Sequence, residues 1–202
     1  MIAKGSGYVR GSGARGRLVA HLKYIEHRTM SERETRDDRR IFSPDEDVVH
    51  RGDAVADIMD HEHRNVAYHK IILSPGQDES VTDWRAWTRE IMHDLEERQG
   101  KELHWYAVHH DNTDHQHVHV VLAGEGENRE TSKPEQVRLY APDYQFLRER
   151  GREHSGHEQE REVNAWVHEA DERDAQELGG RHEERAPLEP AYHASGRGDF
   201  DR

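Results

Sequence analysis

Two alternating apolar runs joined by a short polar segment constrain this chain more than any other feature. Residues 103–123, LHWYAVHHDNTDHQHVHVVLA, read as a strand from Leu103 to His110 and a second strand from His117 to Ala123. The loop between them carries Asp111, Asn112, Asp114 and His115. Side chains alternate faces along a strand, so His117 and His119 point the same way. On the first strand His109 shares a face with Leu103, Trp105 and Ala107. Paired as a hairpin, the two strands can bring three imidazoles to one point with carboxylates beside them, which is a metal site by residue type and spacing.

The flanking sequence supplies layers for that hairpin. Asn65–Ser74, NVAYHKIILS, is a strand that ends at the turn signal Pro75-Gly76. Residues 81–99 make the strongest helix, with Trp84, Trp87, Ile91 and Leu95 at helical spacing, Thr82 or Asp83 as the cap and Gly100 as the stop. Leu18, Leu22 and Ile25 form an apolar stripe on a helix over 14–27, and Tyr24 lies beside it. Val55, Ile58 and Met59 give a short helix over 52–62, and another starts at Ala141-Pro142-Asp143. Residues 4–16 are glycine-rich and read as flexible. Residues 29–47 read as a charged loop anchored by Ile41 and Phe42. The expected fold is α+β, a central antiparallel sheet with helices packed on one face. It occupies residues 1–150, and a charged tail, largely helical or disordered, occupies 151–202.

Composition removes several chemistries. The chain has 202 residues and no cysteine, so disulfides, thiolate metal sites and cysteine nucleophiles are excluded. No apolar run approaches the roughly 18 residues of a membrane span and no signal peptide is evident, so the cytoplasm is the default expectation. The formal net charge of −13 hides an asymmetry. Residues 1–28 hold Lys4, Arg10, Arg15, Arg17, Lys23 and Arg28 against Glu26 alone. A basic arm on an acidic body permits local phosphate binding. The glycine-rich segment contains neither a dinucleotide fingerprint nor a P-loop lysine.

Histidine is abundant, at 18 residues. Roughly one or two H-x-H pairs are then expected by chance, and three occur: His61/His63, His115/His117 and His117/His119. The last is distinguished by an apolar middle residue, a β-branched strand, and His109 and Asp111 nearby. A hydrolytic zinc site is less well matched, because H-x-H-x-D-H and H-E-x-x-H are both absent.

The pattern resembles the HUH endonuclease superfamily, and within it the P-type conjugative relaxases, the nicking enzymes of plasmid mobilisation and T-DNA transfer. LVAHLKYIEHR (18–28) is similar to that family's first motif, a helix bearing a tyrosine. HKIILSPG (69–76) resembles its strand ending in Ser-Pro-Gly. HHDNTDHQHVHVV (109–121) resembles its third motif, His-x-Asp followed by His-x-His. Gln116 stands where the family commonly has proline, and the spacer after Asp111 is about one residue longer. The third histidine is therefore open among His109, His110 and His115, with His109 preferred from the His-x-Asp match.

The resemblance implies metal-dependent nicking and strand transfer on single-stranded DNA at an origin-of-transfer-like site, with accessory relaxosome proteins as further partners. Tyr24 would be the nucleophile, giving a 5′-phosphotyrosine linkage. His109, His117 and His119 would hold Mg²⁺ or Mn²⁺, with Zn²⁺ as the alternative. Asp111 would be the base or would orient a ligating histidine. Arg10, Arg15, Arg17, Lys23 and Arg28 would contact phosphates, with Tyr8 stacking a base. Tyr140 and Tyr144 are the competing nucleophiles, placed as in replication initiators and single-strand transposases of the same superfamily. A non-catalytic metal- or DNA-binding accessory protein is the remaining alternative.

Overall fold

The computed structural model describes residues 1–27, 39–77, 79–111 and 116–155. Arg28, His115 and residues 156–202 of the tail expected to be helical or disordered lie outside the described residues. In chain order the elements are β1 (Ile2–Val9), α1 (Ala14–His27), α2 (Arg51–Asp60), β2 (Tyr68–Ser74), α3 (Trp84–Gln99), β3 (Lys101–His110), β4 (His117–Asn128), β5 (Pro134–Gln136) and α4 (Ala141–Glu153).

The sheet is antiparallel throughout, in the order β1-β2-β4-β3, with β5 pairing the far end of β4. β4 is central and its residues 117–124 are all buried. Its run of Val118, Val120, Val121 and Leu122 is apolar on both faces, which is what a strand covered on both sides requires. One face packs against α3 and α4, through Ile71, Leu73, Trp105, Ala107, Val118, Val120 and Leu122 with Trp87, Ile91, Leu95 and Leu147. The other packs against α1 and α2, through Tyr68, Val108, Val121 and Ala123 with Leu18, Leu22, Ile25, Val55 and Ile58. The expectation of helices on one face is thereby corrected. The apolar stripes of α1 and α2 need a surface of their own, because α3 and α4 fill the first.

A second correction concerns the N-terminus. Ile2–Val9, read as flexible, is an edge strand on β2. Met1, Ile2 and Ala3 are buried, and the glycines sit where the register slips, between Gly5 and Gly7. Gly7 has φ of +115°, a backbone state closed to most side chains. Asp83 caps α3 by accepting from the amides of Arg85 and Ala86, and Gly100 ends it at φ +63°. Ile41 and Phe42 anchor the 39–49 segment as expected, bridging Val49 and Ala107.

Candidate metal and nucleophile site

Strand register decides which histidines meet. β3 and β4 pair with His110 opposite His117, His109 opposite Val118 and Val108 opposite His119. His110, His117 and His119 therefore share the α1/α2 face, while His109 shares the α3/α4 face with Val118. One potential ligand atom from each of His110, His117 and His119 lies within 4.8 Å of the others, and all three residues are buried. His117 Nε2 and His119 Nε2 are 3.1 Å apart. The three ring centroids are 4.7–5.1 Å apart.

His109, the preferred third ligand, belongs instead to the other side of the sheet. Its ring stacks on Trp84 at 4.2 Å and 15°. It lines a cavity of 490 Å³ with Phe42, Trp84, Arg85, Asp111 and Gln116. Asp111 follows it: its carboxylate accepts from the Gln116 side-chain amide and faces this cavity. It is not one of the clustered ligand groups. The sequence held the signal for this placement. His109 has the strand phase of Leu103 and Trp105, the large apolar side chains that α3 must cover, and His110 has the phase of Tyr106 and Val108.

The triad fits a metal by its donor chemistry. His110 Nε2 donates to the Ile25 carbonyl at 2.6 Å. That bond puts the proton on Nε2 and leaves the Nδ1 lone pair for a ligand, with the carbonyl holding the ring in orientation. The 3.1 Å separation of the His117 and His119 nitrogens is close to the spacing of two donors about 2.1 Å from a shared cation. Three neutral imidazoles with no carboxylate in the set suit Mn²⁺ or Zn²⁺ better than Mg²⁺.

Helix α1 lies over this triad. Ile25 supplies the carbonyl, and the His21 ring meets the His119 ring edge-on at 6.1 Å. His21 and Ile25 are one turn apart on the buried face, and Tyr24 lies between them in sequence, half-buried against the α1/α2 core. His21 was not singled out from sequence. Its signal was its place on the stripe of Leu18, Leu22 and Ile25, where a helix packed on His119 has to present it. Burial, then the proximity of Lys70 and of the ionisable His110 ring, pushes its pKa down to about 3, so it is neutral near pH 7. Lys70 is the second missed residue. Strand alternation places it with Tyr68 and Ile72 on this face, Ile72 being paired with His119. It is the one charged residue within Tyr68–Ser74.

The Ser-Pro-Gly end of β2 also gains a physical role. The buried Ser74 hydroxyl donates to the Gln116 carbonyl at 2.9 Å, fixing the backbone one residue before His117. Of the expected phosphate-binding cations, Arg10, Arg15, Arg17 and Lys23 are exposed on or beside α1. Arg17 donates to the Arg10 carbonyl at 2.8 Å. Arg15 lines a cavity of 560 Å³ with Gly11, Gly13, His63 and Arg64. Tyr8 is 57% exposed at the end of β1.

The competing tyrosines lie elsewhere. Tyr140 is 58% exposed at the cap of α4. Tyr144 packs against the α3/α4 core and Gly5, and burial raises its pKa. Among the described residues, no helix is long and apolar enough to cross a membrane.

No curated relative matches the chain. The family model of the relaxase MobA/VirD2-like nuclease domain matches residues 24–136, which run from Tyr24 through β5 and include the triad. With more than half of its length matched, this chain belongs to the MobA/VirD2-like relaxase family and carries its DNA-nicking nuclease domain.

Proposed function

We propose that the chain nicks single-stranded DNA by transesterification, with Tyr24 as nucleophile and His110, His117 and His119 as the metal-holding residues. One observation carries this reading: the last turns of α1 lie on the triad, through Ile25 on His110 and His21 beside His119, with Tyr24 between those two contacts. His110, His117 and His119 would hold a divalent cation there, which would supply positive charge to offset the charge that builds on the scissile phosphate. The Tyr24 oxygen forms the new bond to phosphorus, and the bond to the 3′-oxygen breaks. The phenolic proton passes to a base or to water, the departing 3′-oxygen takes a proton from water, and a 5′-phosphotyrosine and a free 3′-hydroxyl result. The diester energy is conserved, so the reverse reaction reseals a strand.

Arg10, Arg15, Arg17, Lys23 and Arg28 contact the DNA backbone in this account, and Lys70 adds a cation on the triad's own face. Such contacts predict binding that weakens as salt rises. Asp111 acts by holding Gln116 and the approach to His117, not by taking the Tyr24 proton, because its carboxylate faces the α3 side. A free phenol near pKa 10 is a poor nucleophile, so cationic neighbours are part of its activation.

The test is formation of a covalent adduct between the protein and a labelled single-stranded oligonucleotide carrying its origin sequence, with Mn²⁺ present. Tyr24→Phe should form no adduct. The paired change His117→Ala and His119→Ala should lose nicking and Mn²⁺ binding together. Nicking retained in that double variant would remove the metal role. An adduct retained in Tyr24→Phe would remove the nucleophile. A wild-type protein that binds the oligonucleotide without ever forming an adduct would favour the accessory-protein reading.

A further inference from the structure

A second cluster of ligating side chains lies outside the site just described. Asp57 and His61 are four residues apart at the C-terminal end of α2, so they share one helix face. His104 comes from β3, at the register shift between Leu103 and Trp105. His61 Nδ1 is 3.2 Å from Asp57 Oδ1, and His104 Nδ1 is 3.3 Å from Asp57 Oδ2. His61 Nδ1 also lies 2.9 Å from the Asp57 main-chain oxygen, and the Tyr106 hydroxyl donates to Asp57 Oδ2 at 3.0 Å. The two imidazoles stack at 3.4 Å and 10°. One potential ligand atom from each of the three residues lies within 4.8 Å of the others, and all three residues are partly exposed.

We propose that Asp57, His61 and His104 form a second metal site, for a first-row divalent cation of the Zn²⁺ class, that clips the end of α2 to β3. Two imidazoles and one carboxylate are a common donor set for such ions and a poor one for Mg²⁺, which prefers all-oxygen coordination. His61 Nδ1 faces Asp57 Oδ1 and His104 Nδ1 faces Oδ2, so a cation here would take both carboxylate oxygens with one nitrogen on either side, and binding it would swing the two rings out of their parallel stack to aim both lone pairs at the ion. Tyr106 holds the carboxylate from behind, as an outer hydrogen-bond partner does at metal sites. Partial exposure leaves room for water at the remaining positions.

The site is separate from the triad. His104 and His110 are six residues apart on β3, about 20 Å along a strand. The plainer explanation is that both imidazoles only donate hydrogen bonds to Asp57. In that case cation binding does not depend on the cluster.

Zn²⁺ titration of the full chain by calorimetry separates the two, read as differences between variants so that the other histidines cancel. The background is the His117→Ala, His119→Ala protein. On it, Zn²⁺ should still bind and should raise Tm. Adding His61→Gln, or Asp57→Asn with His104→Gln, should weaken the binding more than about tenfold and abolish the Tm rise. His61 is partly exposed at the helix end, so His61→Gln keeps the fold, checked by circular dichroism. Unchanged Zn²⁺ affinity and Tm rise after His61→Gln would overturn the site. So would the absence of any Zn²⁺ effect in the background protein. Because nicking does not use this cluster, His61→Gln leaves adduct formation unchanged, and failure here is distinguishable from failure of the nicking reading.

Discussion

Exchanging the roles of two adjacent histidines gives the most discriminating prediction from this fold. His110→Ala removes a buried ring whose Nε2 donates to the Ile25 carbonyl at 2.6 Å. Three losses follow. One of three clustered imidazoles is gone, the Ile25 carbonyl is left without its donor, and a cavity opens under α1. The unpaired carbonyl alone costs about 1–3 kcal/mol. Loss of an outer hydrogen-bond partner at a metal site typically costs about 10–100-fold in affinity, and loss of a ligand itself costs more. His110→Ala should therefore weaken Mn²⁺ binding by at least about 100-fold and reduce adduct formation in step. His109→Ala removes a ring stacked on Trp84 on the opposite face. Its cost is about 0.5–1.5 kcal/mol of stability, with Mn²⁺ affinity within about threefold of wild type. Isothermal titration with Mn²⁺ and urea unfolding on both variants measure these quantities. If His109→Ala loses the metal and His110→Ala keeps it, the register argument fails.

Other consequences are more local. Gly124→Ala would place a Cβ onto the Val66 carbonyl oxygen, just before β2 and beside the end of its ladder with β4, and should cost at least about 3 kcal/mol by urea unfolding; a loss under about 1 kcal/mol would contradict that packing. Asp111→Asn keeps a side chain that can pair with Gln116 and should leave the single-turnover nicking rate within about tenfold, whereas a drop beyond about a thousandfold would restore Asp111 as the proton acceptor. His69 has its pKa held below 6.5 by burial, opposed by its bond to the Val137 carbonyl. The unfolded state then binds more protons just below pH 6.5, so the stability His69 contributes is present above that pH and is lost as pH falls. The drop in unfolding free energy between pH 7.5 and 5.5 should be smaller in His69→Gln than in wild type; an equal drop would show that His69 does not titrate this way.

The elements of this fold were legible wherever periodicity was strong. α3 announced itself through Trp84, Trp87, Ile91 and Leu95 with Asp83 and Gly100 at its ends, and β2 through its apolar run before Ser-Pro-Gly. β1 was not legible. Its glycines suppress the alternation that identifies a strand, and its pairing with β2 is set by tertiary contacts of Met1, Ile2 and Ala3. The second helical layer was missed because an apolar stripe says that a helix packs and leaves open which face it covers. At the site, His117 and His119 were placed correctly relative to each other by alternation within one strand. The third histidine depended on the register between two strands. A shift of one residue exchanges His109 for His110, and the spacing of these residues from His117 in the sequence does not fix which of them pairs with it. His21 and Lys70 were hidden for a similar reason, since each becomes part of the site only when α1 and β2 are laid beside β4.

Tyr24, on the helix that covers the triad, should become covalently attached to DNA. Mass spectrometry of the protease-digested wild-type adduct reads this out. A phosphonucleotide is expected on the peptide containing Tyr24 and on no other. The same modification on the peptide containing Tyr140 and Tyr144, with Tyr24 unmodified, would contradict it.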